Sequence, residues 1–420
     1  MRGASSVAVV LRDLSVGGVP RVYVDLLGEM RRRGWRTRLV GGDGPLADEA
    51  RTAGIEFLPV NWNELNAEPL AVADLISDFD SVVTVVAPEF VGAMLPLAAF
   101  ARRSLVAIHC SASAFLSWFG PHSDAVVEVL RALLAGSSAT LLTIGEWQRR
   151  SHAELFGTDG HVLPPAVRTD RFPYAVDAGA RSRLVTVARL SVEKRWAIEA
   201  GINLMEHRLL KDPRARFDIV GDGPWRAEAE TLCLRALPAG SFRFLGEQLE
   251  PGPPMRTAQL VLATGLAALE GVALGRPVVL GRPLGVDPDR PGPVLTATTL
   301  DQAGAAGFNG VVFGPMAASE VWAQADAMSD GDRSNLRKLV ERDYSVKRAA
   351  DSLESAIATL VPRAADRLLE LTVRRVVDLT HSVARSDAQA ARWQATADEL
   401  WRRRSLVRKA GGWARRTLRH

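Results

Sequence analysis

Three charged residues in this chain sit where charge is costly unless something answers it. Arg189 and Lys194 stand five residues apart in "ARLSVEKRW" (188–196), the first ending a strand-like run and the second opening a helical one. A cation in the first turn of a helix opposes the helix dipole, so a compensating anion is expected. A diphosphate fits, because Arg offers a planar fork and Lys a point charge. The competing account is two solvated surface cations. Glu270 is the lone acid in "LVLATGLAALEGVALGRPVVLG" (260–281). An unpaired carboxylate is expensive to bury, so it should have a partner, and a carboxylate is a natural bidentate acceptor for a ribose diol.

Two glycine turns add to these. "SVGGVPRV" (15–22) places Gly17 and Gly18 between a strand and a helix, where backbone N–H groups can approach an anion at the helix N-terminus; a plain tight turn is the alternative. "DIVGDGPWRAE" (218–228) runs a strand into a Gly-Asp-Gly-Pro turn, and Gly221 would allow close approach of a nucleobase or merely shape the turn. No G-x-G-x-x-G occurs at the first turn and no acid ends the second strand, which disfavours a dinucleotide dehydrogenase.

The elements that must hold these residues alternate. Strand-like runs at 6–11, 35–42, 81–87, 104–110 and 139–145 are spaced by helical segments, the first being 17–34 with a stripe of Val22, Leu26, Leu27 and Met30. A stretch rich in Pro, Gly and charge follows at 164–180. A second series has strands at 183–190, 215–223, 241–246, 258–265 and 276–281, with helices at 193–209 and 267–275. Repeated βαβ units mean parallel sheets. We therefore expect an α/β chain of two Rossmann-like domains facing a cleft, with ligand at the carboxyl ends of the strands. The expected boundaries are 1–170 for an acceptor domain, 171–345 for a nucleotide-sugar domain, 346–362 for a closing helix region and 363–420 for a helical basic tail.

Composition sets the limits. At 420 residues one hydrophobic core is rarely enough. Two cysteines, Cys110 and Cys233, form no disulfide framework and fit a cytoplasmic setting. No apolar run reaches the length of a membrane span. From Pro362 onward there are 14 Arg and Lys against 6 Asp and Glu, leaving 38 against 42 for the rest. The body is thus slightly acidic, and nucleic acid is not an expected partner.

Taken in order, "GGVPRVYVDLLGEMRRRGWRTRLV", "VARLSVEKRW", "FDIVGDGP" and "ALEGVALGRPVV" resemble family 4 glycosyltransferases of the GT-B fold, over roughly residues 6–360. "TIGEWQRRSHAELFG", "LPPAVRTDRF" and "GFNGVVF" are similar to the same family. The resemblance implies sugar transfer from a nucleoside diphosphate sugar to an acceptor hydroxyl, with retention, and with no metal or cofactor beyond that donor. It implies that Gly17 and Gly18 lie near the donor diphosphate, that Arg189 and Lys194 bind it, that Glu270 holds the ribose and that His109 faces the donor sugar. Catalytic roles are therefore expected of His109, Arg189 and Lys194. The Asp-x-Asp strings at 78–80, 287–289 and 330–332 are read as chance occurrences.

One departure stands out. The family has a Glu-x7-Glu pair whose first acid touches the sugar, and counting back from Glu270 reaches Leu262. Backbone N–H groups of Gly265, Leu266 and Ala267 are the expected substitute. The competing function is a catalytically weak nucleotide-sugar-binding scaffold that partners another transferase; a sugar-nucleotide epimerase fits less well. The expected acceptor is a glycan, lipid-linked or polymer hydroxyl, in cell-envelope glycan or glycolipid synthesis. The last twenty residues hold eight bases and no acid, with Trp401 and Trp413, which fits contact with an anionic membrane surface through 401–420. Residues 363–400 would serve oligomerisation.

Overall fold

The computed structural model describes residues 5–67, 74–87, 103–110, 112–119, 123–136, 139–175, 182–282 and 289–360. The expectations placed on 363–420, the basic tail included, lie outside these residues.

The first half is built from β1 (Ser6–Asp13), α1 (Gly18–Arg32), β2 (Arg36–Gly42), α2 (Ala47–Thr52), β3 (Glu56–Pro59), α3 (Trp62–Ala67), β4 (Ser81–Val85), β5 (Ser104–Ile108), α4 (Ala112–Phe119), α5 (Ser123–Gly136), β6 (Ala139–Thr143), α6 (Glu146–Phe156) and β7 (Gly160–Val162). Its seven strands pair in parallel in the order β3-β2-β1-β4-β5-β6-β7. The second half holds β8 (Arg183–Val187), α7 (Trp196–Lys211), β9 (Arg216–Val220), α8 (Arg226–Ala236), β10 (Phe242–Gly246), α9 (Gly252–Arg256), β11 (Leu260–Ala263), α10 (Leu266–Ala273) and β12 (Val278–Leu280). These five strands pair in parallel in the order β10-β9-β8-β11-β12. Helices α11 (Leu300–Ala305), α12 (Ala318–Ala327), α13 (Asp330–Asp343) and α14 (Val346–Thr359) follow.

Both sheets reverse direction at one point, between β1 and β4 and between β8 and β11. Ligand crevices form outside the carboxyl ends of strands at such switch points. The Gly17-Gly18 turn follows β1, Arg189 follows β8, and the Thr264-Gly265 turn follows β11, so these residues lie at the two reversals, whereas Gly221 follows β9 and His109 follows β5.

The central strands are apolar on both faces, as sheets covered by helices on both sides require. β4 and β5 are buried at every residue. Helix α1 buries Tyr23, Leu26, Leu27 and Met30; Val22 lies beside that stripe, half-buried. The final described helix crosses back to the first sheet. Val346, Ala349, Ala350, Leu353, Ala356 and Ile357 of α14 join the core that contains Val7, Val9, Leu26 and Met30. Arg33 then bridges Asp351 at 2.8 Å and Glu354 at 3.1 Å, and the Trp35 indole N–H donates to Glu354 at 3.0 Å.

Because Leu353 is fully enclosed in that shared core, Leu353→Ala should cost about 2–4 kcal/mol. Urea unfolding of the full chain measures it. A loss below about 0.5 kcal/mol, the size of an ordinary surface substitution, would mean that α14 is not docked on α1.

Candidate functional site

Arg189 lies two residues past β8 and is largely exposed, with a loose 3.5 Å contact to Glu193. Lys194 differs from the sequence expectation. It closes a short 3-10 turn, Val192–Lys194, rather than opening the α-helix, which starts at Trp196. The Lys194 N–H donates to the Ser191 carbonyl at 2.9 Å, which tightens the turn. The side chain is half-buried, and its ammonium makes no hydrogen bond or ion pair among the described residues. Burial, then the neighbouring Arg189, push the ammonium below its ordinary value. Ser191 adds a buried hydroxyl with no partner at the same turn, a residue the sequence reading passed over because serine there looks like a routine cap.

Glu270 sits one turn into α10, only 7% exposed. It accepts no hydrogen bond and forms no ion pair among the described residues. It lines a pocket with Arg21, Asp25, Arg168, Arg171, Glu250 and Leu266. Burial raises its pKa from 4.5 to about 7, against the opposing pull of Arg21 and, more weakly, Arg171. The short connection from β11 to α10 explains its placement. Gly265 has φ 60°, a conformation glycine adopts without strain, and its N–H donates to the Phe308 carbonyl at 2.9 Å. That N–H is therefore engaged within the protein. The N–H groups of Leu266 and Ala267 open the helix and have no intrahelical acceptor. Leu262, where the family's first acid would stand, is in β11 and fully buried.

Gly17 precedes α1 in extended conformation, and both glycines of the pair are exposed. Gly18 faces Leu266 of the second domain: a Cβ added to it would lie 3.4 Å from the Leu266 Cβ. The first-domain turn and the start of α10 thus meet across the cleft. Gly221 has φ 133°, and a Cβ there would stand 1.9 Å from the Ala188 carbonyl oxygen. Its close approach is to the chain's own backbone at the end of β8, immediately before Arg189.

His109 follows β5. Its Nε2 lies 2.9 Å from the Tyr23 hydroxyl. Tyr23 is fully buried, and the imidazole tautomer sets which of the two groups donates in this bond. The His109 Nδ1 is enclosed with no partner among the described residues. Burial, with a smaller contribution from His152, lowers the imidazole pKa to about 4. The His109 imidazole is thus neutral at neutral pH.

The sequence reading missed the charge network that joins the domains. Arg21 of α1 pairs with Glu49, lies 3.8 Å from Glu250, and donates to the Leu249 carbonyl at 3.2 Å. Arg171 of the linker pairs with Glu49 and lies 3.6 Å from Asp25 and 3.7 Å from Glu250. A second seam forms where the Gln148 amide donates to the Ala306 carbonyl at 3.0 Å. No signal of periodicity points to such contacts, because their partners are up to 228 residues apart.

Among the described residues no group of three or more His, Cys, Asp or Glu could hold a metal ion. Asp78 pairs with Arg36 and Arg38, Asp80 accepts from Ser6, and Asp332 caps α13 through Ser329. Burial pushes both cysteine thiols up to about 12. No described helix is long and apolar enough to cross a membrane.

Two parallel-sheet α/β domains facing each other across switch-point turns define the two-Rossmann-domain fold of GT-B glycosyltransferases. Solved structures with this architecture include HepE of Anabaena in complex with UDP-glucose, with a TM-score of 0.64 at 14% identity over 84% of this chain and 100% of that one. The pneumococcal O-GlcNAc transferase GtfA in complex with UDP and GlcNAc gives 0.54 at 10% identity, over 86% and 99%. A glycosyltransferase from Rickettsia africae gives 0.52 at 14% identity, over 91% and 99%. No protein-family model and no curated protein matches the chain. The likeness is one of fold.

Glu270 binds a proton more tightly in the folded chain than unfolded. Its stability contribution is therefore full below pH 4.5 and is lost as pH rises through about 7. Glu270→Gln should gain on the wild type by about 2–4 kcal/mol between pH 4.5 and pH 8.5. Denaturant titrations at the two pH values check this; a constant difference would show that the carboxyl is not desolvated.

Proposed function

We propose that the chain is a glycosyltransferase that moves a sugar from a nucleoside diphosphate sugar to an acceptor hydroxyl, with retention, in cell-envelope glycan or glycolipid synthesis. The observation that carries this reading is a pair of unanswered charges on one sheet edge. Among the described residues the Lys194 ammonium beside β8 lacks an anion, and the Glu270 carboxyl beyond β11 lacks a donor. A nucleoside diphosphate supplies both, its phosphates to Lys194 and its ribose diol to Glu270. The ligands named for HepE and GtfA, UDP-glucose and UDP, are of this class.

The difficult step is the departure of the diphosphate, where negative charge grows on the leaving oxygens. Arg189, Lys194 and the N–H groups of Leu266 and Ala267 stabilise that charge without needing to reorganise. Gly17 and Gly18 let the first-domain backbone approach the same phosphates, and Gly221 sets the turn against which Arg189 is aimed. Neutral His109, its Nε2 held by the Tyr23 hydroxyl, faces the donor sugar, and the acceptor's proton leaves through the departing phosphate, as the resemblance implies. Buried Leu262 favours a second reading, a nucleotide-sugar-binding scaffold of low activity that serves a partner transferase.

Lys194→Met should weaken UDP binding, read by titration calorimetry, about 10-fold to 100-fold, as expected for loss of a charge-assisted contact. Unchanged affinity would remove the diphosphate from this edge. Release of UDP from UDP-sugars by the wild type but not by Glu270→Ala separates the transferase from the scaffold.

We further propose that residues 401–420 attach the chain to anionic lipid, with 363–400 available for self-association. Vesicles of phosphatidylserine and phosphatidylcholine should float the full chain and not a chain ending at 400. Equal recovery of the two counts against attachment.

A further inference from the structure

The two walls of the proposed donor site touch in this structure. A Cβ on Gly18 would lie 3.4 Å from the Leu266 Cβ, which is van der Waals contact. A phosphate held by backbone N–H groups of both walls needs a hydrogen bond of about 2.7–3.2 Å on each side, and its own width between them. No group of that size fits between Gly18 and Leu266. The same approach shuts Glu270 away. Its carboxyl is buried, and Arg21 and Asp25 of α1 and Arg171 of the linker stand around its pocket. A ribose diol has to displace α1 to reach it.

One loop of the second domain, residues 247–251 between β10 and α9, reaches across to α1. The Arg21 guanidinium donates to the Leu249 carbonyl at 3.2 Å and lies 3.8 Å from the Glu250 carboxylate. Arg171 of the linker lies 3.7 Å from the same carboxylate. Both guanidiniums are already fixed on Glu49 of the first domain, so Glu250 docks on a prepared pair of cations. Its own side chain is 53% exposed. Ion pairs this long and this wet are weak, and salt screens them. The chain crossings between the domains are firmer. The Val167 N–H donates to the Tyr344 carbonyl at 2.9 Å, and Val167 bridges Ser345. Two crossings tied to each other form a hinge, and the Glu250 loop is a contact that the hinge can release.

We propose that this is a latched arrangement that excludes nucleotide and that Glu250 is its latch: bridging Arg21 and Arg171, it holds α1 over Glu270, and a nucleoside diphosphate enters when that bridge parts. This rests on the reading of the cleft as the donor site. It gives Glu250 a role opposite to that of Glu270 and Lys194. Those two add to affinity, whereas Glu250 subtracts from it, because a ligand's apparent affinity is its intrinsic affinity reduced by the fraction of chains in the competent state. A weak latch suits the task. Close, buried ion pairs would hold the walls together against a ligand, whereas two long, exposed ones shift the balance by a small factor that binding overcomes.

Disulfide trapping and UDP titration calorimetry on the full-length chain test this. Disulfide-bonded Cβ atoms lie about 3.5–4.5 Å apart, so Gly18→Cys/Leu266→Cys should cross-link on oxidation. Each single variant, which retains Cys110 and Cys233, should not. The oxidised pair should bind UDP at least about 10-fold more weakly than the same protein reduced. Glu250→Gln should slow cross-linking of the pair and, in the otherwise native chain, raise UDP affinity about 3-fold. Glu247→Gln removes an equal charge from the same exposed loop and should change UDP affinity less than about 1.5-fold, which separates release of a latch from a general change in field. Equal UDP binding by the oxidised and reduced pair overturns the proposal. Weaker UDP binding by Glu250→Gln than by the wild type also overturns it, by placing Glu250 among the ligand's contacts. A pair that does not cross-link overturns the closed arrangement itself. Absence of UDP binding by every form, with cross-linking and its slowing by Glu250→Gln intact, is a different result: it defeats the donor-site reading and leaves Glu250 as a latch between the domains.

Discussion

The carboxyl of Glu270 is buried where the two sheets and the linker meet, and among the described residues no group donates a hydrogen bond to it. That constraint shapes much of what surrounds it. A carboxyl held this way is poised near its midpoint at neutral pH, so small changes in its environment decide whether it is ionised. Ribose hydroxyls are donors without charge; they stabilise the ionised form without adding to the cationic network next door. A direct partner such as Arg21 would satisfy Glu270 permanently and leave it nothing to offer a ligand. The fold instead ties Arg21 to Glu49, Leu249 and Glu250, close enough to pull on Glu270 and too occupied to claim it.

The same network holds the domains in register. Arg21 comes from the first domain, Arg171 from the linker and Glu250 from the second domain, so each member is positioned by a different part of the chain. Asp25 is buried among them, and desolvation raises its pKa while Arg171, Arg21 and Arg168 lower it. The Gln148–Ala306 seam and the return of α14 to the first core add contacts away from the charges. The Gly18–Leu266 approach is then set by interactions on several sides. That matters for a site whose two walls belong to different domains.

What could be read from residue order follows the physics of local pattern. The parallel sheets were legible because strands buried on both faces are continuous apolar runs; the strand order, and with it the reversal points, is set by long-range pairing that no local pattern marks. Edge strands β3 and β7 escaped notice: "EFLP" and "GHV" are short and only partly buried, so no run or alternation marks them. Arg189, Lys194 and Glu270 were legible as charges in places that need compensation. The 3-10 turn at Lys194 was not, since charged residues after a strand resemble the start of an ordinary helix.

Lys194 and Glu270 share a cost. Each lowers the stability of the folded chain because its charge, or potential charge, is withdrawn from water without a partner among the described residues. Natural chains retain such residues where function requires them, and stability is gained elsewhere. Here the stabilising contacts are identifiable: the two apolar sheets, the α14 clamp and the cross-domain ion pairs all lie outside the turns that follow β8, β11 and β12. Uncompensated charge lies beyond β8 and β11, where Gly265 shapes the turn at positive φ. A ligand whose anions and hydroxyls match Lys194 and Glu270 together would recover two separate penalties on binding, which is a stronger basis for specificity than any single contact on that edge.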